Sequence, residues 1–572
     1  MLKGSAKPIL LGAAIIVLAT LLAYWPALQG GFVWDDDAYV TNNALLSAPD
    51  GLPHIWLSAH YQSQYFPLVF TTLRWEYALW GLHPFGYHLV NVLLHCANAL
   101  LAWTVLRRLA VPGAWLAAAI FALHPVQVET AAWITELKNT ESTLFYFLAL
   151  LAWIKFLRPE TAAPWRFYLL ALFLHLLALF SKTTACTFPA AMVLALWLRR
   201  EPLNRKRILQ IVPFLLLGLA LGLVSVWWEG HLGNYKEKFS LSFTFAQRLL
   251  LATRAVWFYL GKLVWPVNLA FSYPRWDLDS RDTTQYVWLI GCGAFAALLW
   301  WKRRQWRGTI AAVAFFVAAL SPMLGFISLF TFYYSFVADH YQYLACLGPI
   351  ALFAAGVCRL LIKWQTVRLQ QYAVYFLILA TLGALTWQQA RAYENLETLW
   401  RDTLKKNPGS WLAHHNLGLT LAKQGNRAEA EWHYRETLRL KPDNGDAHYN
   451  LANLLFATGR PEEALSHYER ALPFSPGDAD FHNNYGVALF ALRQSEAAAE
   501  QFREALRLNP GLVGAHFNLG VALEAQHKRE EAIQQYETVV RLQPDSDAAK
   551  ARLRVLSMQP TNSLVPSKSP KE

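Results

Sequence analysis

At 572 residues the chain has room for two or three domains, and its 55% hydrophobic and 14% aromatic content is more apolar than a soluble protein of that size sustains, which places it in the membrane class. The net charge of +12 is uneven: Lys and Arg outnumber Asp and Glu by 30 to 18 up to residue 400, whereas the remainder balances at 21 to 21. A basic, apolar first part points to topology signals and anionic lipid head groups; the second part carries no basic stripe with interleaved aromatics, which excludes a nucleic-acid surface.

Apolar runs long enough to cross, or nearly cross, a bilayer occur at about 9–27, 86–106, 113–131, 141–157, 165–180, 184–198, 208–228, 285–301, 308–328, 343–362 and 371–388. The first follows Lys3 and Lys7 and reads as an uncleaved span rather than a signal peptide, since no small-x-small cleavage site precedes Phe32. With a cytoplasmic N-terminus, every basic cluster (Arg107 and Arg108, the 155–166 and 199–207 stretches, Lys302 to Arg307, Arg359 to Arg368) falls on one side, as the positive-inside rule requires. That count needs 243–274 to make no net crossing; Pro266, Arg248, Arg254 and Lys262 argue for an interfacial helix or a re-entrant hairpin. Eleven spans put the residues after 390 on the face opposite the N-terminus, together with Asp35–Asp37, the 129–138 stretch, Lys182 and Asp339–Tyr341. Cys96, Cys186, Cys292, Cys346 and Cys358 all stand among apolar residues, with no CxxC, and read as core residues.

Beyond about residue 390 the hydropathy falls and a strict period of 34 appears: Pro408, Pro442, Pro476, Pro510 and Pro544. In the same frame stand Gly418, Ala452, Gly486 and Gly520, with Tyr434, Tyr468, Phe502 and Tyr536. This is the tetratricopeptide pattern of helix pairs, with small residues where helices cross. The expected organisation is all-α: a polytopic membrane bundle over 1–390 with a first outer loop at 29–85, a soluble repeat solenoid over 391–557 comprising a leading helix and four units from about 411, and a disordered tail over 558–572.

Two constellations carry chemistry. Asn416, Asn450, Asn484 and Asn518 occupy one position of each repeat, two before the small residue that closes the Leu-Gly pair or its equivalent, where an amide facing the groove can donate to and accept from an extended peptide. His414, His448, His482 and His516, two residues earlier, read as inter-helix packing residues. In the first outer loop Asp35, Asp36 and Asp37 follow a span closely; such a cluster can hold a divalent cation, Mg or Mn, or keep one carboxylate as general base for an incoming hydroxyl. The stretch from Tyr65 to Trp80 reads as an amphipathic helix with Arg74 and Glu76 as internal polar points. Glu129, Lys182, Arg254, Lys262 and the 338–344 stretch fall on the same face, where cations can pair a lipid phosphate.

The WDDDAY loop, LHPFGYHLVNVLLHCANALL, LHPVQVETAAWITELKN, LFSKTT, YLGKLVWPVNLAFSYP and ADHYQYL, in that order and followed by the repeats, resemble the transmembrane and tetratricopeptide-repeat O-mannosyltransferase-like family and its bacterial relatives, of the GT-C glycosyltransferases. The resemblance implies a GT-C-like membrane bundle that moves a sugar from a polyprenyl-phosphate carrier to a hydroxyl on the non-cytoplasmic face. It implies Asp35 and Asp36 as the general base, Glu129, Glu136 and Lys138 as the second acidic loop, and Lys182, Lys262, Asp339, His340 and Tyr341 as positions facing the carrier. Relatives often have Arg where this chain has His340, a side chain charged only in part at neutral pH. The partners implied are a polyprenyl-phosphate sugar and a protein or peptide acceptor held by the repeats, in a bacterial inner membrane with the repeats in the periplasm. Two other readings compete: a GT-C enzyme acting on an envelope glycan or lipid, and a non-catalytic membrane scaffold, against which a full set of spans with polar clusters argues.

Overall fold

A computed structural model describes residues 6–58, 64–231, 243–327 and 330–558, and the expected tail beyond Met558 lies outside them. Every regular element among the described residues is helical, as expected for an all-α chain. Contacts divide the chain into two compact units, Met1–Ser410 and Trp411–Glu572.

The longer helices of the first unit are α1 (Ala6–Ala23), α2 (Pro67–Trp80), α3 (Pro84–Arg108), α4 (Ala114–Leu123), α5 (Leu137–Phe156), α6 (Pro164–Ser181), α7 (Phe188–Arg199), α8 (Arg205–His231), α9 (Phe245–Val264), α10 (Val287–Trp301), α11 (Arg307–Leu320), α12 (Leu347–Lys363), α13 (Arg368–Ala390) and α14 (Leu396–Lys406). Among the described residues five helical segments are long and apolar enough to cross a membrane: Pro84–Arg108, Pro164–Ser181, Arg205–Trp228, Thr283–Trp301 and Arg368–Tyr393. Shorter apolar helices cover Lys7–Ala23, Ala114–Leu123, Thr183–Arg199 and Arg307–Met323. Leu216, Leu219 and Leu223 of α8 and Leu369, Phe376 and Leu377 of α13 are exposed, a cost that only a lipid environment removes. The chain is a multi-pass membrane protein.

Hydropathy divides this unit into eleven runs, but two of them begin in polar, buried backbone. The first turns of α5 carry Lys138, Asn139, Thr140, Glu141, Ser142 and Thr143, all buried. The 343–362 run starts in the short turn that follows Asp339–Gln342 and becomes α12 only at Leu347. Irregular backbone at such depth persists only where protein satisfies its polar groups, and these joints are where polar side chains collect. The 243–274 segment folds as α9, opened by a Thr244–Gln247 capping box, and an irregular return. The buried face of α9 (Leu251, Ala255, Tyr259) packs with Tyr273, Phe316, Leu320 and Phe336. The amphipathic stretch is helical as α2, and Arg74 donates from Nη1 to Leu45 O at 2.5 Å, tying it to the first loop. Helix α14, grouped with the repeats in the sequence reading, packs in the first unit: Lys406 Nζ donates to Leu269 O at 2.6 Å, and Asn407 Nδ2 to Ser272 O at 3.0 Å.

In the second unit four helix pairs follow the 34-residue period: α15 (Trp411–Lys423) with α16 (Arg427–Leu440), α17 (Gly445–Ala457) with α18 (Pro461–Ala471), α19 (Ala479–Ala491) with α20 (Ser495–Leu508), and α21 (Val513–Ala525) with α22 (Arg529–Leu542). Helix α23 (Asp547–Met558) packs on α22 and closes the stack. Close approach explains the small residues: a Cβ on Gly418, Gly486 or Gly520 would lie 2.9, 2.6 or 2.7 Å from the rings of Tyr434, Phe502 or Tyr536.

Candidate active site

The site grows from helix joints. After α1, Trp34 adopts a left-handed backbone (φ 50°), held by ring contacts with Phe271, Tyr334 and Trp400. The chain then makes one π-type turn, Asp37–Thr41, in which Asn42 N donates to Asp37 O at 2.7 Å. Asp36, fully buried between them, accepts from Val33 N at 2.8 Å through Oδ2, and from Thr135 N at 2.9 Å and Thr135 Oγ1 at 2.6 Å through Oδ1. Burial pushes its carboxyl up to about 7 although those hydrogen bonds pull it down. Asp36 thus pins the first loop to the second acidic segment.

That second segment, between α4 and α5, meets residues 338–342 and the end of α6. Glu129 accepts from the His340 backbone N–H at 2.9 Å, and its Oε1 lies 3.0 Å from His340 Nδ1. Glu136, fully buried, lies 2.9 Å from Lys138 Nζ, 3.6 Å from Lys182 Nζ and 3.8 Å from His340 Nε2, and accepts from Asn139 Nδ2. Burial alone would raise the Glu136 carboxyl, but His340, Lys138 and Lys182 outweigh it and hold the group well below the carboxylate range. Burial lowers Lys182 to about 8 despite Glu136 beside it, while Lys138, which burial would also lower, is raised by Glu136 and Tyr39. Lys138 further lies 5.4 Å from the Tyr39 ring and 5.6 Å from that of Trp133.

Asp35 differs from its neighbour. Its carboxylate accepts no hydrogen bond among the described residues, it is partly exposed, and it feels Lys138, Glu136 and His340. Burial lifts its pKa to about 6, Lys138 offsetting part of the rise. Asp339 is buried, accepts from the Tyr273 hydroxyl at 2.9 Å, and is raised by burial and by Glu129. On the α6 side a crevice of about 20 Å³, room for about one water, is lined by Lys182, His340, Ser142, Thr143 and Thr184, with Ala319, Met323 and Leu344 forming an apolar wall.

Other candidates stand elsewhere. Asp37 is exposed and accepts from Ala38 N at 2.7 Å. Lys262 donates to Val267 O and Asn268 O at 2.8 and 3.0 Å, closing the end of α9. Arg254 lies 4.5 Å from the Trp276 ring, whereas Tyr341, which donates to Thr331 Oγ1 at 2.5 Å, also lines the crevice beside His340. The three loop aspartates make different contacts, and among the described residues no three His, Cys, Asp or Glu side chains gather as a metal site. In the repeat unit Asn416 donates to Leu412 O within its own helix, whereas Asn484 and Asn518 reach one repeat back, to Tyr449 Oη at 2.8 Å and Asn483 Oδ1 at 2.9 Å. Asn450 is partly exposed and makes no hydrogen bond among the described residues.

One supporting set went unread in the sequence. His88, Asn91, His95 and Asn98 follow i, i+3, i+7, i+10 spacing on α3, so they share one face, and all are buried. Asn91 donates to Trp133 O at 2.9 Å and Asn98 to Thr140 O at 2.8 Å; His95 Nδ1 lies 2.8 Å from the Tyr343 hydroxyl and His88 Nε2 3.3 Å from Gly31 O. The stripe clamps the carbonyls of the joints that bear the charged cluster. A polar stripe at helical spacing inside an apolar run was its signal.

The tetratricopeptide-repeat family model matches residues 415–479 and 484–547. Over 509 residues the chain is 26% identical to "Protein O-mannosyl-transferase TMTC1" of Homo sapiens, with 74% of this chain and 54% of that protein aligned. Over 532 residues it is 25% identical to "Protein O-mannosyl-transferase Tmtc1" of Drosophila melanogaster, with 74% and 60% aligned. The chain thus spans little more than half the length of these curated relatives. A solved tetratricopeptide-repeat protein, YrrB, overlaps 35% of this chain and 97% of its own at 21% identity and a TM-score of 0.27, a likeness that carries no argument. Across about three quarters of its length the chain is similar to the TMTC protein O-mannosyl-transferases, and the family resemblance carried by its ordered motifs holds.

Proposed function

We propose that this chain is a membrane glycosyltransferase that moves a sugar, mannose by the names of its relatives, from a polyprenyl-phosphate carrier to a Ser or Thr hydroxyl of a protein on the non-cytoplasmic face. The observation that carries the reading is Asp35: a partly exposed carboxylate with no hydrogen-bond donor of its own, raised to about 6, beside a buried Glu136–Lys138–Lys182–His340 cluster. A base with a pKa near ambient pH both stays ionised and retains basicity. Asp35 takes the acceptor's hydroxyl proton as that oxygen bonds to the anomeric carbon; the bond from that carbon to the phosphate oxygen breaks, and polyprenyl phosphate leaves with the electron pair. Lys182, at the crevice, offsets the charge growing on the phosphate, and the Ala319–Met323–Leu344 wall suits the first prenyl units. At about 20 Å³ the crevice must widen to admit the donor. Asp36 holds the loop in place.

The repeats hold the acceptor polypeptide. Asn450, with Asn416, Asn484 and Asn518 in register, supplies amide oxygens and nitrogens along one line of the array. Two features support the orientation: the basic clusters fall on one side of the apolar runs, and the charged cluster falls at their opposite ends.

The test uses purified full-length chain, a labelled polyprenyl-phosphate mannose and Ser/Thr-containing peptides. Asp35→Asn should lose about 100-fold or more of peptide labelling while unfolding no lower than the parent. Undiminished transfer by Asp35→Asn removes the base assignment. Label appearing in a co-supplied glycan or lipid instead of peptide reassigns the acceptor, and no turnover with any acceptor removes the enzyme reading.

A further inference from the structure

At the other end of α6 from Lys182 lies a second cavity, open and of about 500 Å³, lined by Trp165, Tyr168, Arg205, Lys206, Leu209 and Gln210. Trp165 and Ser181 are separated by about 24 Å of helix at 1.5 Å per residue, so the two ends of α6 stand at opposite membrane interfaces. Both helices that form the cavity, α6 and α8, are among the candidate membrane spans.

Its floor is built: the Tyr168 hydroxyl donates to Gln210 O at 3.0 Å, and both residues are buried. Its rim is charged. The segments 155–166 and 199–207 hold eight Lys and Arg against two acidic residues, Glu160 and Glu201. Glu201 is already taken, accepting from Arg199 Nε at 2.9 Å and Arg207 Nη2 at 3.1 Å, and Arg207 also donates to Gln210 Oε1 at 3.0 Å. Arg205 and Lys206 remain exposed with no ion pair or hydrogen bond from their side chains among the described residues. Other interfacial cations are occupied differently: Lys302, Arg303 and Arg307 lie over Trp301, Trp300 and Trp197 at 4.2, 4.5 and 4.4 Å. Two unmatched cations facing one cavity call for an anion. The exposed apolar residues beside it, Trp165, Leu169, Leu209 and Leu216, call for acyl chains attached to that anion.

We propose that this cavity binds the phosphodiester head group of an anionic phospholipid, with Arg205 and Lys206 on the phosphate and Trp165 and Leu209 against the glycerol and first acyl carbons. The volume falls in the range of small-molecule sites and accommodates a phosphoglycerol head group. This site stands apart from the candidate active site and does not depend on the function proposed for it.

Full-length chain purified in detergent is offered phosphatidylglycerol and phosphatidylcholine of matched chains, and bound lipid is counted by native mass spectrometry. Phosphatidylglycerol should be retained over phosphatidylcholine by roughly tenfold or more, since each interfacial cation contributes several-fold. Arg205→Gln with Lys206→Gln should bring the two lipids near parity, whereas Lys302→Gln with Arg303→Gln should leave the preference intact. Equal retention by the parent, or a preference that survives the Arg205/Lys206 pair of changes, overturns the proposal. Soluble glycerophosphate separates the sources: competition as effective as that of intact lipid marks a site for free phosphate compounds and overturns the lipid assignment, and failure to compete supports it.

Discussion

The two units handle polar residues in opposite ways. In the repeats polar side chains recur every 34 residues, and the histidine ladder is internal: His414, His448, His482 and His516 pair through Nδ1 with His433, His467, Gln501 and Gln535, each 19 residues on, at 2.7–2.9 Å. In three of them Nε2 meets the carbonyl of the proline six residues before, Pro442, Pro476 or Pro510. Such a ladder is a packing device, and translation reproduces it. In the first unit Asp35, Glu129, Glu136, Lys138, Lys182 and His340 share no period and come from four joints between helices. Repetition there gives way to convergence, and convergence of unlike charges in one buried place is what chemistry needs.

That contrast is broken most strongly at Glu136. Glu136→Ala leaves Lys138 and Lys182 buried without their shared carboxylate, and should cost about 3–5 kcal/mol or prevent folding, read as the unfolding temperature in detergent. A change below about 1 kcal/mol would show that the cluster is solvated and loosely held. Asp35 and Asp36 separate the chemical from the structural role within one loop. Asp36→Ala removes three acceptor contacts and should destabilise by about 2–4 kcal/mol, whereas Asp35→Asn removes a carboxylate whose ionised form burial disfavours and should hold or raise stability at neutral pH. Because Asp35 must be ionised to act and its pKa is raised to about 6, and Lys182, lowered to about 8, must keep its charge, kcat/KM should be highest between those two pH values, falling toward tenfold per unit below the first and falling again above the second. A flat profile down to pH 5 would exclude Asp35 as the base. In the repeats the sensitive point is a close approach: Gly486→Val puts a branched side chain where even a Cβ lies 2.6 Å from Phe502, at an expected cost of about 1–3 kcal/mol, visible as faster amide exchange in α19 and α20 of the intact chain.

How much of this was legible follows from the same contrast. The 34-residue period exposes the repeats, their boundaries and their close-packed glycines, because each unit restates the same contacts. The acidic and basic residues of the site were visible as polar interruptions of apolar runs, and five of the candidates, Glu129, Glu136, Lys138, Lys182 and His340, meet directly. Spacing could not distinguish Asp35 from Asp36, since adjacent residues in a turn point apart and only the donors of Val33 and Thr135 decide which is held. Nor could it show that Lys262 and Arg254 serve the return from α9, because their partners are a backbone carbonyl pair and a tryptophan that only folding brings near. The clamp on α3 was readable by period, yet inside a strongly apolar run its polar members pass for isolated exceptions.

The smallest expected effect tests whether the histidine ladder is only packing. In the first two repeats the partner of the ladder residue is another histidine, and His448 Nδ1 lies 2.8 Å from His467 Nδ1, a bond that needs one ring to offer a lone pair. Burial, then His448 and Arg435, lower His467 to about 4, with Arg470 adding to the effect and Glu463 opposing it. A histidine whose folded pKa is lowered keeps its full contribution above the unfolded value, about 6.5, and loses it as pH falls from there toward 4. His467 is only about half-buried, so solvent screening reduces the loss to about 1 kcal/mol. Amide exchange in α17 and α18 of the intact chain, corrected for its intrinsic pH dependence, should therefore quicken between pH 7 and 5. His467→Gln restores the pairing used in the last two repeats, His482 with Gln501 and His516 with Gln535, and should remove that acid sensitivity while α19 to α22 stay unchanged. If His467→Gln quickens with acid as much as the parent, the pair does not titrate and glutamine and histidine are interchangeable spacers at this position.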